Sequence, residues 1–153
     1  MNWDALDYAV FGAMVATVTI IYSLARLKSG SKLYRYGVGV ALAASFILVW
    51  VNGAVGIIGD ENNDVNMLFF GVIAIGIIGA LLARFKAPGM AKAMLAAAVA
   101  QTLVVIYAIA GDLGSSGPVW PKDAVFLTVF FVALWLISAR LFQLSAKRQS
   151  ELV

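Results

Sequence analysis

Five runs of mostly apolar residues, each about the length of a bilayer crossing and separated by short polar connections, constrain this chain more than any other feature. A hydrocarbon core of roughly 30 Å is crossed by a helix of about 20 such residues, and lipid offers no partner for an unpaired backbone N–H or C=O. The runs extend from Leu6 to Ala25, Gly37 to Ile58, Met67 to Ala83, Ala93 to Ala110 and Ala124 to Ala139. Arg26 to Tyr36, Gly59 to Asn66, Arg84 to Lys92 and Gly111 to Asp123 connect them, and none is long enough for a separate soluble domain. The sequence therefore predicts an all-α, polytopic integral membrane protein: one transmembrane domain over residues 1–153, built as a bundle of five helices. Composition agrees, because 63% of the residues are hydrophobic and 12% charged, against about 45–50% and about 25% in ordinary soluble domains.

The first run reads as a retained span. A cleaved leader needs a basic start, whereas Met1-Asn2-Trp3-Asp4 carries an acid and no Lys or Arg. Orientation follows from the basic residues, which accumulate on the cytoplasmic side. Arg26, Lys28, Lys32, Arg35, Arg84, Lys86, Lys92, Arg140, Lys147 and Arg148 fall on one side, and Lys122 alone falls on the other. Asp4, Asp7, Asp60, Glu61, Asp64, Asp112 and Asp123 lie opposite. The expected topology is N-terminus out and C-terminus in. Trp3, Tyr8, Tyr107 and Trp120 then mark the outer interface, Tyr22, Tyr34 and Tyr36 the inner one, while Trp50 and Trp135 lie deeper, between helices. The net charge of +3 is accounted for by a basic rim facing anionic headgroups, so membrane lipids are the expected partners and nucleic acid is not.

With no histidine and no cysteine, imidazole and thiolate chemistry is excluded, and neither an enzyme nor a cofactor is expected. Ser115 and Ser116 in the loop before Pro121 have no histidine to activate them. No ionisable side chain stands at bilayer depth, which removes a Schiff-base lysine and argues against a carboxylate proton relay. The polarity left inside the spans is neutral: Asn52, Gln101 and Thr102 above all. Such groups are costly against lipid and are expected to turn inward, either as hydrogen-bonding glue between helices or as the lining of a polar path.

The most polar segment, Gly59 to Asn66, offers Asp60, Asn62 and Asp64 as a candidate metal site, since their oxygens suit a hard cation. They match the first three ligand positions of a calcium loop. Val65 stands where that loop needs glycine and Gly71 where it needs glutamate, so an EF-hand is rejected in favour of either a looser cation site or a turn whose Asp64 or Asn66 caps the third helix. Close helix packing through small residues is expected at Gly12 with Ala16, Gly37 with Ala41, Gly39 with Ala43, Gly76 with Gly79, and along Ala93 to Ala100. Gly53, Gly56 and Gly59 are expected to loosen the outer end of the second span. Ala25-Arg26, Ala83-Arg84 and Ala139-Arg140 give the inward spans similar ends, which orientation alone explains better than an internal duplication.

The run Trp50-Val51-Asn52-Gly53-Ala54-Val55-Gly56-Ile57-Ile58-Gly59-Asp60-Glu61-Asn62-Asn63, with Gly76-Ile77-Ile78-Gly79-Ala80 and Trp120-Pro121, resembles a group of uncharacterised bacterial five-span inner-membrane proteins of about this length. The likeness covers most of the chain and implies a multi-pass protein of the bacterial cytoplasmic membrane. It carries no chemistry, so no residue role is transferred. Three functions fit the sequence: a structural or accessory component that helps assemble a larger membrane complex, an oligomeric passive channel or small-solute and cation transporter, and a binder of an extracytoplasmic cation or a lipid.

Overall fold

The computed structural model describes residues 3–28, 31–59, 62–115 and 117–151. Their helices are α1 (Ala5–Lys28), α2 (Lys32–Ala54), a 3-10 turn (Asp64–Met67) running into α3 (Leu68–Leu82), α4 (Ala87–Ala110) and α5 (Lys122–Glu151). Five of these units, the 3-10 turn counted with α3, are long and apolar enough to cross a membrane. The chain is a multi-pass helical membrane protein. Asp60, one of the candidate metal ligands, lies outside the described residues together with Glu61.

Local chemistry sets the helix starts. Asp4 and Asp7 form a reciprocal cap on α1, each carboxylate accepting from the other's backbone N–H at 2.9 and 3.0 Å. Ser31 caps α2 by accepting from the Tyr34 N–H. Helices α2, α4 and α5 run past the apolar stretches: α2 begins at Lys32, α4 at Ala87, and α5 continues to Glu151, well beyond Ala139.

One boundary moves inward. The second span was expected to reach Ile58, but α2 stops at Ala54 and residues 55–59 are not helical. Gly56 and Gly59 take positive φ angles of 74° and 72° there, a conformation that costs glycine little. Unwound backbone at this depth needs internal partners, and Asn66 supplies them. Its Oδ1 accepts from the N–H groups of Ile57 and Ile58 at 3.0 and 2.8 Å, and its Nδ2 donates to the Ile58 carbonyl.

The helices pack as a curled row in the order α1, α2, α5, α4, α3, while α2 and α3, consecutive in the chain, touch little. Small residues let backbones close up. A Cβ added at Gly79 would stand 2.7 Å from the Ala93 Cβ, and one at Gly37 would stand 3.1 Å from the Phe142 ring. Leu48, Phe69, Phe131, Trp135 and Phe142 fill the interior of the α2–α5 block. At its basic end Ser138 donates to the Gly37 carbonyl at 2.7 Å, the Ser31 and Ser145 hydroxyls meet at 3.1 Å, and the Tyr34 hydroxyl donates to the Phe85 carbonyl at 2.6 Å. That last bond holds the turn in which Arg84 and Phe85 both have positive φ.

Helix α1 stands apart, packing chiefly on α2, and Ala25 is its one buried side chain among the described residues. Phe11, Met14, Val18 and Tyr22 face α2. Ala5, Ala9, Gly12, Ala16, Thr19 and Ser23, which recur at alternating spacings of four and three, are exposed on the other side. The expected pairing through Gly12 and Ala16 is therefore not made within the chain: a Cβ at Gly12 would meet nothing within 4 Å. Bulky residues, not small ones, join α1 to α2. Trp3, Phe11 and Trp50 stack with centroids 5.1 to 5.7 Å apart, and Phe11 meets Phe46 at 5.8 Å.

Candidate functional site

Because α1 and α3 flank α2 without closing over it, a groove of about 420 Å³ opens at the acidic end of the molecule. That volume lies within the ~300–1,000 Å³ range of small-molecule sites. One wall is α1 from Trp3 and Asp7 to Met14, the floor is the last turns of α2 from Val49 to Ala54, and the opposite wall is Asn62 to Asn66 with Met67 and Phe70. From Asp7 to Met14 a helix rises about 10 Å, so the groove reaches through much of a ~15 Å leaflet. Its deep part is apolar, with Val10, Phe11, Met14, Val49 and Phe70, and its mouth carries Asp7, Asn62 and Asp64.

Asn52 is the exceptional residue in this lining. It is only 7% exposed, and its Oδ1 is buried with no hydrogen-bond partner. Leaving such a group unpaired costs about 1–3 kcal/mol. The other asparagines are occupied by the fold. Asn63 caps the 3-10 turn by accepting from the Val65 N–H at 3.1 Å and donates through Nδ2 to the Leu113 carbonyl at 2.7 Å. Asn66 holds the unwound segment through both side-chain atoms. Sequence reading singled out Asn52 and Gln101 together. The structure separates them: Gln101 is not in the groove lining. It is fully buried between α4 and α5, where its Oε1 accepts from the Trp135 Nε1–H at 2.7 Å. Thr102 is half-buried, and its hydroxyl donates to the Ala98 carbonyl of its own helix. Gln101 thus joins two helices, Thr102 bonds only its own, and neither lines the groove with Asn52.

Of the candidate metal ligands, Asn62 and Asp64 are both exposed and both line the groove mouth, on either side of the capping Asn63. Among the described residues no group of three acidic, histidine or cysteine side chains is placed to hold an ion. Neither Asp64, which starts the 3-10 turn, nor Asn66, one residue before its end, caps α3; Asn63 caps the turn that leads into it.

What sequence reading missed is the groove itself. Its aromatic wall needs Trp3, Phe11 and Trp50 to meet across two helices, and no spacing within one helix announces that meeting. Compared with protein-family models, curated proteins and solved structures, the chain finds no match.

Proposed function

We propose that this chain is a lipid-binding protein of a bacterial cytoplasmic membrane, N-terminus outside, and that the groove between α1 and α3 takes an amphiphile from the outer leaflet. The observation that carries this reading is the groove itself, open beside α2 between α1 and α3, apolar below with Val10, Phe11, Met14, Val49 and Phe70 and acidic at its mouth with Asp7 and Asp64. A polar headgroup sits at the mouth beside Asp7, Asn62 and Asp64, while an acyl chain lies against Phe11, Met14 and Phe70. The role is binding, with no covalent chemistry assigned to any side chain.

Gly53 gives a direct test, because it lines the groove and a Cβ built there meets nothing within 4 Å. Gly53→Leu is expected to fill the groove without disturbing the fold. Native mass spectrometry of the chain released from mixed lipid–maltoside micelles should show bound phospholipid on the parent protein and its loss from Gly53→Leu. Equal retention by the two proteins would refute the reading.

A second reading has its own observation. The exposed small-residue seam of α1 from Ala5 to Ser23 is suited to close approach by another membrane helix, which supports an accessory or assembly role. The chain has no native cysteine, so Ala16→Cys is a clean probe: oxidative cross-linking in membranes should trap a homodimer, or a partner helix that itself carries a cysteine, whereas Leu103→Cys on α4 should not.

A further inference from the structure

We propose that the basic end of the α1–α2 seam is a phosphate site, in which Arg35 and Arg26 hold the headgroup of a net-anionic phospholipid. This site lies at the opposite end of the molecule from the groove and is independent of it. Arg35 stands in the first turn of α2 and is half-buried. Its Nε is buried with no hydrogen-bond partner. The two terminal guanidinium nitrogens are not buried in this way, and the side chain makes no hydrogen bond or ion pair among the described residues. The fork that can grip a phosphate through two parallel bonds is therefore reachable and unoccupied by the chain. Register brings a second arginine to it. Phe11 stacks on Trp50, and a Cβ built at Gly39 would lie 3.6 Å from the Tyr22 ring. Both pairings fit one antiparallel register of α1 and α2, in which exposed Arg26 is level with Arg35 and next to Ala25, the buried residue of α1. The Tyr34 hydroxyl also holds the turn carrying Arg84 against this end of α2.

No carboxylate balances these charges. The first turn of α2 has no acid, and Glu151, the one acid of the chain at this end, stands on α5 well past the Ser145 that meets Ser31. Basic residues collect at one end of membrane proteins in general, but that tendency is met by side chains on the surface and does not draw one between two helices beside a second. Guanidinium groups at one level without an acid repel each other, and a partly buried arginine calls for an anion. The anion that a bilayer offers between helix ends is a lipid phosphate. Two cations favour a lipid of net negative charge over a zwitterion.

The experiment follows thermal unfolding of the full-length chain in maltoside micelles containing phosphatidylglycerol or phosphatidylcholine of identical acyl chains. Phosphatidylglycerol should raise Tm by at least about 3 °C more than phosphatidylcholine does, the shift expected for roughly tenfold tighter binding. Arg35→Gln should abolish that difference. Arg26→Gln, at an exposed position, should reduce it and decides the matter if Arg35→Gln does not fold. Lys92→Gln, an equal change of charge at an exposed position on α4, should leave the difference intact. So should Gly53→Leu, which fills the groove and separates the two sites. Equal shifts with the two lipids, or equal losses from the arginine variants and Lys92→Gln, would reduce the basic end to a diffuse surface charge and overturn the site. A shift of the same size from inorganic phosphate alone would move the ligand from the bilayer to solution and overturn the lipid assignment.

Discussion

The α2–α5 block and helix α1 are built from the same apolar alphabet and packed by opposite means. In the block, backbones approach through Gly79 and Ala93, buried Gln101 is hydrogen-bonded to Trp135, and Ser138 reaches the Gly37 carbonyl. Along α1, large rings bridge the gap to α2, the small residues face away, and the space beside the rings holds the one groove-lining side chain with a buried, unpartnered oxygen. Lipid gives helices no hydrophobic reason to associate. Tight packing therefore has to be supplied residue by residue, and where it is not, as along α1, room is left for a lipid.

Substitutions at matched glycines should break this contrast most visibly. Gly79→Leu forces a side chain into Ala93 and should destabilise the block by about 3 kcal/mol, at the upper end for overpacking, measured by reversible unfolding in mixed micelles. Gln101→Leu leaves the Trp135 N–H unpaired but also removes the amide's own unpaired Nε2, and should cost at most about 1 kcal/mol, in the range found for hydrogen bonds between membrane helices. Adding Trp135→Phe should recover most of that loss. Asn52→Leu should act with the reverse sign, raising stability by up to about 1 kcal/mol by removing an unpaired buried oxygen. Gly12→Leu, on the open face of α1, should change stability by less than about 0.5 kcal/mol. If Gly12→Leu proved as damaging as Gly79→Leu, α1 would be as tightly packed as the block and the contrast would be lost.

The spans were legible in the sequence because length and hydropathy alone decide what can cross a bilayer. Gly79 and the alanines from Ala93 onward were also read correctly as close-packing positions, since the structure puts Gly79 against Ala93. Other features depended on residues distant in the chain. The end of α2 depends on Asn66 pairing with Ile57 and Ile58, a contact that hydropathy cannot register. Gly12 and Ala16 carry a packing pattern, but a pattern does not say which helix uses it, and α2 does not. Asn52 and Gln101 look alike in sequence, as lone amides in apolar helices. They differ in which atom is left unpaired: Trp135 pairs the Gln101 oxygen and leaves its Nε2 without a partner, whereas at Asn52 the buried oxygen itself has none.

Fluorescence of Trp50 tests the groove as a lipid site most directly, because its ring forms part of the lining. In a variant with Trp3, Trp120 and Trp135 replaced by Phe, the protein is placed in phosphatidylcholine nanodiscs titrated with brominated phosphatidylethanolamine. Trp50 quenching should rise with the brominated lipid, and Gly53→Leu should lower it markedly at every mole fraction by keeping lipid off the ring. Equal quenching in both proteins would mean that lipid only passes along Trp50, and the groove would not be a binding site.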